Sequence, residues 1–123
     1  MSPDGEMAKA KQDFPKSNRI RTKPEIDRIF RTGVRFSGKG MVIRSAANTS
    51  GGESRVVFVA VRAFYGAVQR NRAKRVARET WRLNKERIRP GCDVAVILYP
   101  EMDNFMDCSR AMLFLLRKAG LIK

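Results

Sequence analysis

Histidine is absent from the chain, and cysteine occurs only twice, as Cys92 and Cys108. The first absence removes the commonest proton shuttle and metal ligand of neutral-pH chemistry. With no Cys-x-x-Cys pair either, a zinc site lacks ligands and a cysteine–histidine catalytic pair is impossible. The two cysteines read as small buried or half-buried side chains of a reducing cytoplasm, not as a disulfide. No apolar run approaches the roughly 18 residues of a membrane span, and the polar start Met1-Ser2-Pro3-Asp4-Gly5-Glu6 is unlike a signal peptide, so a soluble cytoplasmic protein without a membrane partner is expected. Acids are scarce as well, 12 against 26 lysines and arginines, for a net charge of +14. That excess points to a polyanionic partner. No carboxylate pair is indicated by spacing and no phosphate-binding glycine loop is present, so neither a catalytic residue nor a metal site is expected in the protein itself. Asp93, opening a strand, and Glu79, opposite a basic arc, read as structural.

The cations are unevenly placed. Residues 16–44 hold nine against Glu25 and Asp27, and residues 62–89 hold ten against Glu79 and Glu86. From Asp93 onward four acids meet four bases. Two basic segments and a neutral tail suggest that the first two converge on one binding surface.

The densest segment runs from Arg70 to Arg82, with six cations in thirteen residues. At about 100° per residue, Ala73, Val76, Ala77, Thr80 and Leu83 share one arc of a helix. Arg70, Asn71, Lys74, Arg75, Arg78 and Arg82 share another, Arg72 and Glu79 lie on the far flank, and Trp81 sits at the seam. A solubilising face would alternate signs, whereas this basic arc contains no acid. Arginine dominates it, and the guanidinium fork matches phosphate oxygens.

The rest of the chain reads as one domain over residues 18–123 after a disordered basic arm, residues 1–17, that is polar and carries Pro3 and Pro15. Thr22-Lys23-Pro24-Glu25 starts a helix: Thr22 caps it, proline falls in the first turn, Ile26, Ile29 and Phe30 form its apolar face, and Gly33 stops it. A strand, a turn at Gly38 to Gly40 and a second strand, Met41 to Arg44, follow. Arg55 to Val61 is apolar and β-branched enough to be a central strand buried on both faces. The basic helix spans Ala67 to about Ile88, a second buried strand spans Asp93 to Tyr99, and a last helix runs from Met106 to about Ala119, with Met106, Met112, Leu113 and Leu116 on its apolar face. The order gives an α/β sandwich, three helices on a small four-stranded sheet.

Phe58 through Arg82, above all Gly66-Ala67-Val68-Gln69-Arg70-Asn71-Arg72-Ala73-Lys74-Arg75-Val76-Ala77-Arg78-Glu79, closely resembles the signature of the bacterial ribonuclease P protein subunit. Asn18-Arg19-Ile20, Ile29-Phe30, Gly33, Asp93-Val94-Ala95-Val96 and Leu115-Leu116-Arg117-Lys118-Ala119-Gly120-Leu121 extend the resemblance over residues 18–121. It implies a compact α/β domain with a left-handed β-α-β crossover, a handedness that parallel crossovers otherwise avoid. It also implies a subunit that binds a large catalytic RNA and the 5′ leader of precursor tRNA, in a holoenzyme whose RNA carries the catalytic centre and most of the Mg²⁺. No obligate protein partner is implied.

Carried over residue by residue, Arg70, Asn71, Arg72, Lys74, Arg75 and Arg78 match the RNA-binding motif, Arg82 continues it, and Arg62 is the one cation kept in the preceding loop. Phe30 matches an aromatic of the leader cleft between the first helix and the sheet. The chain departs from the family pattern where Val61-Arg62-Ala63-Phe64-Tyr65 replaces Ser-Lys-Lys-x-Gly, with Gly66 expected to take over the permissive φ. Ile26 and Arg44 stand where the cleft usually has aromatics, so base stacking there should be poorer and the electrostatics stronger. Two other readings of the residues stay open: an RNA-binding or ribosome-assembly protein of similar topology, and a DNA-binding module using the basic helix, which lacks the second short helix of a helix-turn-helix.

Overall fold

The computed structural model describes residues 20, 22–48, 52–61, 66–100, 102 and 104–122. The expected N-terminal arm, residues 1–17, and the loop cation Arg62 lie outside them. Helix α1 (Lys23–Thr32) is followed by strands β1 (Val34–Gly38), β2 (Met41–Ala47) and β3 (Arg55–Ala60). Helix α2 (Ala67–Asn84), a 3₁₀ turn (Lys85–Arg87), strand β4 (Cys92–Leu98) and helix α3 (Phe105–Lys118) complete the order. The sheet runs β1-β2-β4-β3, with β4 antiparallel to β2 and parallel to β3, so α2 is the crossover of a β-α-β unit. The four-stranded sheet with three helices agrees with the fold read from sequence.

Alternation along the strands divides the molecule into two layers. Val94, Val96 and Leu98 of β4 join Met41, Ile43 and Val56 in a main core, closed by Ala73, Ala77 and Trp81 of α2 and Cys108, Met112, Leu115 and Leu116 of α3. The opposite face of β4 presents Ala95 to Ile20 and Ile29, with Ile26 and Val57 packed around them. Helix α1 therefore covers one face of the sheet, and α2 with α3 covers the other.

Three local expectations are corrected. The strand from Arg55 is not central: it lies at the sheet edge, with Val56 buried and its neighbours half-buried, while β4 takes the centre. An apolar run reports that faces are covered, not that both edges are paired, and here the Ile20 amide donates to the Val56 carbonyl at 3.0 Å along the free edge. The basic helix ends at Asn84, because the chain tightens into the 3₁₀ turn and then extends to bury Ile88. In α3 it is Met106 that faces out, whereas Cys108 is buried. Both cysteines are free thiols, and burial pushes that of Cys108 up to about 11, which makes it unreactive.

Two joints fix α1 on the sheet. Thr22 caps the helix through the Glu25 amide, and at the other end Gly33 brings the chain against β2. A Cβ at Gly33 would stand 2.5 Å from the Ile29 carbonyl oxygen and 3.3 Å from that of Ser45, so glycine is required by close approach. The larger joint is electrostatic. Asp93 is fully buried, and its carboxylate accepts from Arg55 Nε at 3.0 Å and Nη2 at 2.8 Å, from Arg28 Nη2 at 2.5 Å and from Asn48 Nδ2 at 3.1 Å. Arg55 also reaches Glu25 at 2.8 Å, holding that carboxyl below its ordinary value. With the folded value depressed, this arm contributes above the unfolded carboxylate pKa of about 4.3 and fades as pH falls through the lower folded value.

Removing one member of such a network strands the others in the interior, at a cost of about 3–5 kcal/mol. Asp93→Ala is therefore expected to lower the unfolding free energy by about that amount in urea titration. A loss below about 1 kcal/mol would show that the network does not hold α1 on the sheet.

Candidate nucleic-acid interface

The orientation of α2 decides which cations reach solvent, and one side chain sets it. Trp81 is 2% exposed and stands edge-on to Phe58, ring centroids 6.4 Å apart, whereas Leu83 is 56% exposed. The seam position read from the helical wheel is thus inside the core, and an expected core position is outside. A tryptophan buries about 150–250 Å², more than a leucine, so the helix rolls toward it by roughly 40° on the wheel. Ala73, Ala77 and Thr80 remain buried under both readings.

The roll redistributes the cations. Arg70, Lys74 and Arg78, placed mid-arc by sequence, are half-buried along its border. Asn71, Arg72 and Arg75 are exposed, so Arg72, placed on the flank by sequence, shares the outward side with Arg75. Arg82, also exposed, donates from Nε and Nη2 to the Glu79 carboxylate, and that bond is the main reason Glu79 titrates below its ordinary value. The stretch without an acid is accordingly Arg70 to Arg78. Gly66 precedes the helix in extended backbone, φ −177°, a conformation any residue adopts, so it does not supply the permissive φ expected of it.

The second basic segment meets the sheet on the α1 side. Phe30 is 37% exposed, and the Arg44 guanidinium lies 5.5 Å from its ring centroid while Arg44 Nη1 donates to the Phe30 carbonyl at 3.3 Å. Phe30 and Arg44, both placed in a cleft by sequence, therefore form one unit. Ile26 does not join them: it packs with Ile20, Ile29 and Ala95 in the smaller core. The binding of Arg28 and Arg55 to Asp93 was not foreseen. The available signal was an acid at the head of an otherwise apolar strand, since a buried carboxylate requires cationic partners.

Among the described residues no group of three or more Cys, Asp or Glu is arranged to hold a metal ion, and no helix is long and apolar enough to cross a membrane.

Comparison with known proteins follows the same line. The model of a family described as Ribonuclease P matches residues 14–120. The ribonuclease P protein component of Beutenbergia cavernae is 37% identical over 91 residues, covering 74% of this chain and 76% of the relative. That of Clostridium acetobutylicum is 30% identical over 110 residues, covering 87% and 92%. Among solved structures, the RNase P protein of Thermotoga maritima superposes with a TM-score of 0.73 at 29% identity, covering 81% of this chain and 96% of that one. The Staphylococcus aureus protein gives a TM-score of 0.79 over 88% and 100% of the two chains, a likeness of fold at 22% identity.

The roll of α2 is measurable. Trp81→Ala is expected to cost about 3–5 kcal/mol in urea unfolding and Leu83→Ala under about 0.5 kcal/mol. Comparable losses at the two positions would return the helix to the orientation read from sequence.

Proposed function

Because the chain belongs to the ribonuclease P protein family, we propose that it is the protein subunit of a cytoplasmic ribonuclease P ribonucleoprotein, binding the catalytic RNA and the 5′ leader of precursor tRNA during leader removal. The observation that carries this reading is the acid-free stretch Arg70 to Arg78, exposed at Asn71, Arg72 and Arg75 and braced from beneath by Trp81. A rigid helix bearing several cations neutralises a run of phosphates without having to order a flexible segment first.

The part assigned to the protein is electrostatic and positional. Catalytic RNA and precursor tRNA repel each other, and cations from α2 at their junction offset that repulsion. Phe30 and Arg44, 5.5 Å apart on the other side of the sheet, offer a separate surface suited to an unpaired strand. Bond cleavage is left to the RNA and to Mg²⁺ held mainly by it. Three of the described acids are already engaged by arginines, Asp93 by two and Glu25 and Glu79 by one each, and among the described residues no group of three or more acids or cysteines is arranged to hold a metal ion.

Reconstitution with the cognate catalytic RNA at low Mg²⁺ tests the reading: the chain is expected to stimulate leader removal, and absence of stimulation rejects it in favour of a plain RNA-binding role. Arg72→Gln with Arg75→Gln is expected to weaken assembly and to reduce the salt slope of binding by about 1.8, the release expected for two phosphate contacts on a duplex. An unchanged slope removes these two arginines from the interface.

A further inference from the structure

Past the end of α2 the chain separates charge between two concavities. On one side of residues 85–90, Trp81, Lys85 and Ile88 meet the acids Glu53 and Glu86. On the other, Arg87 and Arg89 line a concavity of about 570 Å³ with Gly120 and Ile122, and no acid is among its described walls. Ile88, in extended backbone between the two arginines, is buried in the main core and pins the segment in place.

These two arginines are held differently from the structural ones. Arg28, Arg55 and Arg82 donate to carboxylates, which orient them and cancel their charge. Arg87 Nη1 donates to Asn84 Oδ1 at 3.2 Å, and Arg89 Nη1 to the Gly120 carbonyl at 3.3 Å, both neutral acceptors. Each guanidinium is therefore oriented while it keeps its charge and its remaining donors. The wall behind them is fixed as well. The Arg89 amide donates to the Leu121 carbonyl at 2.8 Å, beside the turn that Gly120 makes with φ 76°. The carbonyls of Leu115, Leu116 and Arg117 in the last turn of α3 all accept from backbone amides, so the negative end of that helix is satisfied before any ligand arrives.

Oriented forks without an internal anion favour an external group whose oxygens accept several donors, and phosphate has them. No aromatic ring is among the described walls, so the concavity gives an unpaired base nothing to stack on. Both observations favour the backbone of a folded RNA, which is contacted through its phosphates. We infer that Arg87 and Arg89 form a second phosphate site for folded RNA, at the end of the molecule where α2 and α3 terminate. It is separate from the row of cations on α2, because the ion pair of Glu79 with Arg82 closes the acid-free stretch before it. Identifying that RNA as the catalytic one rests on the function proposed above; the site itself does not.

The full chain is titrated with the cognate catalytic RNA across a salt series. Arg87→Gln/Arg89→Gln is expected to lower the salt slope of binding by about 1.8, and adding Arg72→Gln and Arg75→Gln to bring the total to about 3.6. Arg87→Lys/Arg89→Lys, which keeps the charge, is expected to leave the slope unaltered. An unaltered slope in the Gln variant overturns the site, and an equal loss in the Lys variant reduces both arginines to structural roles. A combined loss no larger than that of either pair overturns the separation from α2. Arg87→Gln alone, at an exposed position, covers the case in which the double variant fails to fold, with an expected loss of about 0.9. Calorimetry with inorganic phosphate alone is expected to show no saturable binding; a saturable heat that the Gln variant loses assigns the site to a free anion instead. Repeating the series with an RNA hairpin of about sixteen base pairs separates the two readings. If the slope loss persists there while the wild-type chain does not stimulate leader removal, the ribonuclease P reading falls and the site stands; stimulation with an unaltered slope sinks the site alone.

Discussion

Asp93 is the constraint on which the arrangement depends. It sits in the central strand β4, without solvent, and draws together Arg28 from α1, Arg55 from β3 and Asn48 from the end of β2. A carboxylate so placed is unfavourable until each lone pair is satisfied, so the three partners are obligatory. Arg28 Nη1 also donates to the Ala47 carbonyl, which fastens the same helix to β2. The few apolar side chains beneath α1, chiefly Ile29 and Ile26 on Ala95, would make a weak interface alone. The charge network gives that interface a single register.

This use of acid has a consequence for the exterior. A chain with 12 acids and 26 bases places several of its acids where they neutralise particular arginines: Asp93 and Glu25 on Arg28 and Arg55, Glu79 on Arg82. What remains outside is then more cationic than the composition alone conveys. Between Arg70 and Arg78 the sequence itself contains no acid.

The fold was legible where periodicity and punctuation agreed. Thr22 with Glu25, the break at Gly33, the turn at Gly40 and the two β-branched runs set the element order correctly. Strand position was not legible, because Arg55–Ala60 and Cys92–Leu98 are equally apolar and only the pairing registers distinguish edge from centre. The cationic helix was found from its sequence, but not its rotation, since a wheel weighs Leu83 and Trp81 by angle and the core weighs them by the area each buries. Phe30 and Arg44, both assigned to the cleft by the resemblance, lie against each other. Ile26, assigned to the same cleft, packs half-buried against the smaller core, a contact that sequence does not distinguish from a cleft wall. The opposition of Arg35 and Arg44 depends on the hairpin register, which sequence spacing suggested only loosely.

The two cationic surfaces differ in what they can hold. On α2 the arginines project from a rigid cylinder spaced by 1.5 Å per residue, a geometry suited to the fixed phosphate rows of folded RNA. On β2 the Arg44 guanidinium lies over the Phe30 ring with Arg35 of β1 opposite it in the register, an arrangement suited to a strand whose bases are free to stack. The sheet lies between them, α2 on one face and the Phe30–Arg44 unit on the other. A folded RNA and an unpaired strand engaged together would thus approach from different sides and not compete for the same cations. Their coupling would pass through β4 and its contacts, where Val94 and Val96 face α2 and α3 while Asp93 and Ala95 face α1. The most fully buried strand is therefore also the one that lies between the two surfaces.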